Sequence, residues 1–410
     1  LLSKVDERKI FDDVTKELGL NQLLDREIQQ LSGGELQRMA ICATLMREAD
    51  VYFFDEPSSY LDIYQRMKIV KIIQKLSETK RVIVIEHDLA VLDVLADLVH
   101  IVYGKKGAFG VFTPARTTRQ AINAYLDGFL TEQNVRIRSK PIKFLTHRDR
   151  NIGVGSKIVS WSNIKKTLGE FTLETQEGSV HRGEVVGVVG PNGTGKSTMM
   201  KILAGLIEYE DGWVDQNPKI SYKPQHIDVD IDCSVQLWLD SEIGARWRSG
   251  EFNVNVIKAL GVDKLLPKRV KKLSGGERQA VSIAICLGRD ADLYLLDEPS
   301  AHLDASARME AAKAIRRTME SNGKSAFVID HDVYFIDILS DSLLVFDGVG
   351  GTHGIAKGPF PLREGMNQFL ENVNITFRRD HDSKRPRINK PDSRKDREQQ
   401  SSGDYYSFDS

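Results

Sequence analysis

The run EVVGVVGPNGTGKSTMMKILAGL, residues 184–206, decides how this chain is read. A β-branched apolar stretch, Val185–Val189, enters GPNGTGKST at 190–198, and an apolar helical pattern leaves it. That is GxxxxGK[ST] in the strand-to-helix setting the motif requires. Glycines at 190, 193 and 195 let the backbone curl so that successive N–H groups face one anion, and the positive end of the following helix points at the same spot. Gly190, Asn192, Gly193, Thr194, Gly195, Lys196, Ser197 and Thr198 are therefore expected to hold the phosphates of ATP. Lys196 reaches the β- and γ-phosphates, and the Ser197 hydroxyl ligates Mg²⁺.

Downstream of this loop come LSGGERQA (273–280), LLDEPSAHLD (295–304) and AFVIDHD (326–332). The same three motifs occur earlier, in the same order, as LSGGELQR (31–38), FFDEPSSYLD (53–62) and VIVIEHD (82–88). Leu31 and Leu273 differ by 242 positions, as do Asp55 and Asp297, and Asp88 and Asp332 differ by 244. The chain is an internal repeat. Each DEP motif follows a short apolar run, VYFF or LYLL, which suits a strand buried in a parallel sheet with its carboxylates at the C-terminal end, where ligands of α/β sheets bind. A helical pattern follows, Ile63–Leu76 or Ala305–Ser321, and then a β-branched run. The alternation predicts a doubly wound α/β class for both halves. At the 242-residue offset, the first half's counterpart of the glycine loop would precede residue 1.

Polyphosphate chemistry assigns the remaining polar residues. Asp297, at a strand end, is expected to hold the Mg²⁺ shell, and Glu298 to orient or deprotonate the attacking water. Gln225, in YKPQ, lies on a turn where an amide can sense both metal and water, and His331 can bond the γ-phosphate from its own strand end. Phe171, 25 residues before Lys196, either stacks on adenine or belongs to the core. The serine and glycines of LSGGE open amphipathic helices, leaving bare N-termini that suit an anion whose other contacts lie in another domain.

At 410 residues the chain exceeds one core and suits two domains. Charged residues at 28% and hydrophobic ones at 41% mark ordinary globular composition, and no stretch approaches eighteen consecutive apolar residues. Cys42, Cys233 and Cys286 stand too far apart for a CxxC pair and read as small buried hydrophobes of a reducing, cytoplasmic protein. The net charge of −1 confines nucleic-acid affinity to local basic segments. Arg136–Arg150 carries six Lys/Arg against one Asp, and Arg378–Arg397 nine against four, enough for several phosphate contacts each. The chain opens at Leu1 with no signal-peptide pattern, and its start reads as truncated or processed.

Together these motifs resemble the nucleotide-binding domains of the ABC ATPases. The resemblance implies an α/β fold of tandem ABC-type nucleotide-binding domains, P-loop NTPases of which the first is incomplete. It further implies head-to-tail pairing of the two halves in cis, with each ATP between one half's phosphate loop and the other's LSGGE. Lys196, Ser197, Gln225, Asp297, Glu298 and His331 would then face Ser32, Gly33, Gly34 and Glu35, with the D-loop residue Asp62 nearby and Asp304 as its counterpart. The second site, Asp55, Glu56 and His87 with Ser274, Gly275, Gly276 and Glu277, is incomplete within these residues. The segments LDGFLTEQNVRIRSKPIKF (126–144) and 362–406 resemble the hinges of the class E ABC ATPases, the RNase L inhibitor family, which split ribosomes after termination or rescue. A transporter engine would leave both basic hinges unexplained, and a genome-maintenance ABC protein would need zinc-binding CxxC pairs.

That resemblance implies ATP and Mg²⁺ as cofactors, and the ribosome, mainly its small subunit, and release or rescue factors as partners, with no membrane. The family's N-terminal domain with two [4Fe–4S] clusters has no counterpart here, so no iron–sulfur cluster is expected in this chain. The expected layout is an incomplete first domain at 1–125, a basic hinge at 126–155, a complete second domain at 156–360, a C-terminal hinge at 361–398 and a flexible tail at 399–410. The strands at 51–54 and 82–85 are expected to flank a missing central strand that leads into the phosphate loop, which leaves an open sheet edge in the first half; slow turnover and poor ribosome splitting complete the expectations.

Overall fold

The computed structural model describes residues 2–105, 108–138, 141–142, 144, 155–215, 218–225, 231–381 and 383–408. The chain divides into two compact units, Leu1–Pro141 and Ile142–Ser410.

In the first unit, helix α1 (Gly33–Met46), strand β1 (Val51–Asp55), helix α2 (Ile63–Ser77), strand β2 (Arg81–Ile85) and the hairpin β3 (Val102–Lys105) and β4 (Phe109–Phe112) follow one another. Period-2 alternation turns Tyr52 and Phe54 onto Ile41, Cys42, Leu45, Ile69, Ile72 and Ile73, which form the core. β1 and β2 pair directly in parallel register, Val51 with Arg81 through Asp55 with Ile85. A central strand between them, which the open-edge expectation assumes, has no place there. The second unit shows why: the strand that enters its glycine loop lies on the far side of the β2 counterpart.

The other face of β1 and β2 is open. Phe53 is 67% exposed and Ile83 49%, whereas their repeat counterparts Leu295 and Phe327 are fully buried. An apolar sheet face of this kind attracts other apolar surface. The chain should therefore bind the dye ANS, and Phe53→Ser with Ile83→Thr should lower that fluorescence by about half. Unchanged fluorescence would show that this face is covered in solution.

The second unit opens with β5 (Lys157–Leu168), β6 (Phe171–Thr175), β7 (Gly178–His181) and β8 (Val185–Val189). Helix α3 (Lys196–Leu203), β9 (Asp211–Asp215), β10 (Ile220–Lys223), helix α4 (Gly275–Gly288) and β11 (Leu293–Asp297) follow. Helix α5 (Ala305–Asn322), β12 (Ser325–Ile329), helix α6 (Val333–Leu339), β13 (Ser342–Val349), β14 (His353–Pro361) and helix α7 (Leu362–Val373) complete the nucleotide-binding fold. Ten strands form one sheet in the order β7-β5-β6-β14-β13-β8-β12-β11-β10, with β9 on β5. Its parallel part places β8 between β12 and β13, and β11 between β10 and β12.

β8, β11 and β12 are buried along their whole length because helices cover both faces. Val186, Val188, Leu295 and Phe327 pack on Met199 and Met200 of α3, while Tyr294, Leu296 and Val328 pack on Ile315 of α5 and Ile283 of α4. The predicted helices at 63–76 and 305–321 are present, each one residue longer at its C-terminus.

Beyond α7 the described residues do not fray. Strands β15 (Phe377–Arg379) and β16 (Pro386–Ile388) pair as a hairpin, and helix α8 (Arg394–Ser402) runs through the start of the expected tail. Tyr406, within that expected tail, is 1% exposed and bridges Phe377. The local sequence is polar, but Tyr406, Phe408 and Phe377 give it an apolar anchor. The expected hinge at 126–155 also divides otherwise, since its part up to Pro141 belongs to the first unit and Ile142 and Phe144 are buried in the second. Much of the basic run Arg136–Arg150 lies outside the described residues. In Arg378–Arg397, Arg379 and Arg385 are buried, so fewer cations face solvent than the sequence count implies. Cys42 and Cys286 are buried, whereas Cys233 is only half-buried.

Candidate nucleotide site

The glycine loop leaves the C-terminal end of β8 as the sequence predicts. Gly193 and Gly195 adopt φ of +76° and +94°, conformations that glycine alone takes freely, and Gly195 caps α3. Lys196 is 6% exposed, and its ammonium donates to the carbonyls of Gly190 (2.9 Å) and Pro191 (2.7 Å), lying along the loop it serves. Thr194 Oγ1 closes the same loop on Pro191 O at 2.8 Å.

β11 brings Asp297 beneath Ser197. Burial raises the Asp297 carboxyl above its ordinary value, while the Ser197 hydrogen bond and the more distant Lys223 and Lys196 draw it back. Its Oδ2 is buried without a hydrogen-bond partner. This orphaned oxygen beside the Ser197 hydroxyl brings together hard oxygen donors of the kind that Mg²⁺ takes. Among the described residues no group of three or more His, Cys, Asp or Glu forms a metal-binding cluster elsewhere.

Glu298 is the electrostatic centre. Its backbone adopts φ +45°, uncommon for a residue with a side chain, and is fixed by N–H donation to Ile329 O (2.9 Å) and by Gln279 Nε2 donating to its carbonyl (2.5 Å). Gln225 Nε2 donates to its Oε1 at 2.7 Å. His331 Nε2 stands 3.6 Å from the same oxygen, beyond hydrogen-bond length, and makes no hydrogen bond. Burial pushes the carboxyl up, but His331, Gln225 and Lys196 together outweigh it and hold its pKa at about 2. A fixed anion, an amide and an imidazole thus converge beside the phosphate loop, where a water could be held for in-line attack.

The first unit repeats this geometry openly. His87 Nε2 lies 3.5 Å from Glu56 Oε1, each side chain 45% exposed, against 9% and 16% for His331 and Glu298. Glu56 has the same left-handed backbone (φ +46°), the same N–H bond to its neighbouring strand at Ile85 O (2.9 Å), and the same amide, Gln37, on its carbonyl (3.0 Å). Asp55 closes β1 with an exposed side chain.

Both LSGGE segments cap their helices. Ser32 and Glu35, and likewise Ser274 and Glu277, form reciprocal capping boxes. The glycines have a second reason beyond leaving a bare helix end. A Cβ on Gly34 would lie 2.9 Å from Tyr60 O, and one on Gly276 2.7 Å from His302 O, so each D-loop backbone occupies the space a side chain would need. Gly33 and Gly275 likewise face the Tyr60 and His302 rings at 3.3 and 3.1 Å. Asp62 and Asp304 cap α2 and α5, accepting from Gln65 N–H (2.9 Å) and Ala307 N–H (2.8 Å).

Phe171 is half-buried and packs on the core with its ring against Gly195, which is the core alternative of the two the sequence left open. Residues that the sequence reading missed are Gln37, Gln279 and Lys223. The glutamines recur at the same place in both repeats, which was the available signal. Lys223 is 1% exposed and donates to Asp297 O (2.8 Å) and Pro224 O (3.2 Å); burial pulls its pKa down to about 8 although Asp297 opposes this.

The family description "ABC transporter" matches residues 3–59 and 173–301. An uncharacterised ABC transporter ATP-binding protein of Methanocaldococcus jannaschii is 46% identical over the whole chain, which spans 68% of that relative. ABC transporter E family member 1 of Arabidopsis thaliana is 43% identical, again over the whole chain and 69% of its own length. Among solved structures, archaeal ribosome recycling factor aABCE1, in complex with ribosomal stalk protein aP1, superposes with a TM-score of 0.93 at 48% identity, covering 99% of this chain and 78% of that one. A structure of ribosome-bound archaeal Pelota and ABCE1 gives 0.94 at 50% identity, over 99% and 68% respectively.

Proposed function

The chain belongs to the class E family of ABC ATPases, and from that premise we propose that it hydrolyses ATP to drive its two halves together and thereby separate ribosomal subunits. The convergence of Gln225, Glu298 and His331 beside the phosphate loop carries the hydrolytic part of this reading. Likeness over the whole chain to a ribosome recycling factor supports the ribosomal part.

In this reading residues 190–198 grip the phosphates, and Ser32, Gly33, Gly34 and Glu35 complete the site from the other half, with Asp62 beside them. Phe171 takes the adenine edge. Gln225 and Glu298 orient the water, Glu298 accepts its proton, and His331 steadies the γ-phosphate. Ser197, Asp297 and Gln225 would hold Mg²⁺, which when bound would supply neutralisation of the phosphate charge. Swinging the halves from about 1:99 open to 99:1 closed requires roughly 5.5 kcal/mol of differential nucleotide affinity. Asp55, Glu56 and His87, with Ser274, Gly275, Gly276 and Glu277, form the second set of site residues, for which these residues supply no phosphate loop. The open setting of Glu56 and His87 favours, as a second reading, a ribosome-binding module gated by nucleotide and hydrolysing slowly.

Among the described residues no helix is long and apolar enough to cross a membrane. We place the work on the small subunit in the cytoplasm, alongside release or rescue factors. Co-sedimentation of the chain with small subunits should depend on a non-hydrolysable ATP analogue, vanish in Lys196→Ala, and weaken steeply between about 50 and 200 mM salt as phosphate contacts are screened. Binding indifferent to both nucleotide and Lys196 would overturn the proposal.

A further inference from the structure

The glycine-rich segment DGVGGTHG, 347–354, joins β13 to β14 and belongs to none of the motifs that identify the nucleotide site. It lies against the outer side of the phosphate loop. Gly351 N–H donates to Gly193 O at 3.0 Å. A Cβ on Gly350 would stand 2.5 Å from Asn192 O, and one on Gly354 only 2.0 Å from Thr194 O. Thr352 N–H closes the turn on Val349 O, and Thr352 O accepts from Thr172 N–H, both at 3.0 Å, which ties the turn to the strand carrying Phe171.

These contacts have a common physical cause. A loop that turns successive N–H groups inward onto an anion turns carbonyl oxygens outward. Outward carbonyls need a neighbour that brings donors and no side chains, because buried unpaired carbonyls are costly. Here three consecutive residues of the phosphate loop, Asn192, Gly193 and Thr194, present their carbonyls to Gly350, Gly351 and Gly354.

We propose that this glycine turn is a backing wall that holds residues 192–194 in their anion-binding shape, making Gly350 and Gly354 positioning residues for the nucleotide without touching it. The proposal rests on the assignment of the phosphates to residues 190–198.

The test measures ATP, ADP and AMP dissociation constants on the full chain for Gly350→Ala, Gly354→Ala and Lys196→Ala. The alanine variants should each weaken ATP and ADP by about tenfold or more, since sub-ångström errors in an anion cradle are costly. AMP, which lacks the β-phosphate, should change less than about twofold by the same argument. Parent-like ATP binding in both alanine variants with loss in Lys196→Ala overturns the wall. Equal loss of ATP, ADP and AMP assigns the glycines a merely structural role and also overturns it. No loss in Lys196→Ala overturns instead the assignment of the phosphates. In the unsubstituted chain ADP should slow hydrogen exchange at the Gly351 amide; unchanged exchange there counts against the wall even if a variant fails to fold.

Discussion

Glu298→Gln should lower ATP turnover by about 10²–10³-fold while leaving ATP affinity within about twofold, the size expected when a charge that acts on the reacting water is removed but its shape is kept. The amide can still accept from Gln225, so the loop geometry survives. What disappears is the anion. In the parent that anion is secure: with its pKa at about 2, Glu298 is ionised throughout the neutral range and far into acid. Turnover should therefore show no acid limb from this residue between about pH 5 and 8, where a group with so low a pKa does not titrate. The sign for stability follows from the same depression. A carboxyl lowered from 4.5 to about 2 stabilises the fold above its unfolded value, and the contribution is lost as pH falls from 4.5 through 2. Single-turnover hydrolysis with the Glu298→Gln protein checks the catalytic claim. Equal turnover in parent and variant would remove Glu298 from the chemistry and favour the slow, nucleotide-gated binding module.

The elements of this fold were legible wherever a strand, a motif and a helix follow within some thirty residues. β11, the DEP turn and α5 are an example: burial pattern, N-cap Asp304 and helical periodicity are all local signals. Interactions that the site owes to distant sequence were not legible. Lys223 meets Asp297 O across 74 residues, and nothing in YKPQ says that the lysine turns inward. Gln37 and Gln279 could have been noticed as a repeated amide, but their target is a backbone carbonyl, which leaves no mark in sequence. The error about a strand between β1 and β2 has the same origin, since strand order is a property of crossovers rather than of the strands. Charge counting failed for a different reason. It scores Arg379 and Arg397 alike, though the first is buried and the second exposed.

Breaking the buried pair of Arg379 and Asp337 should destabilise the second unit by about 3–5 kcal/mol, the cost of removing one partner of a buried ion pair. The two side chains are 2% and 1% exposed and joined bidentately at 2.8 and 2.6 Å. The Tyr406 hydroxyl also donates to Asp337, and the guanidinium stacks over the Tyr406 and Phe408 rings at 5.5 and 5.0 Å. Arg385 donates to the Tyr334 hydroxyl at 3.1 Å, and Phe144 meets the Tyr334 ring edge-on at 5.4 Å. Hairpin, tail and incoming linker thus all converge on α6, whose N-cap Asp332 directly follows His331. Chemical denaturation of Arg379→Met, Asp337→Leu and the double variant separates charge burial from packing. The double variant should be more stable than Arg379→Met, because an apolar pair leaves no buried carboxylate short of its guanidinium. A cost below about 1 kcal/mol for Arg379→Met would mean that the C-terminal segment is held by its aromatic residues instead. Ribosome binding supplies an independent reading of the same arginine. Because Arg379 never reaches solvent, its loss should lower stability and leave the salt slope of subunit binding unchanged. Removing the exposed Lys390, Lys395 and Arg397 should instead flatten that slope, by up to about one unit for each cation that meets a ribosomal phosphate.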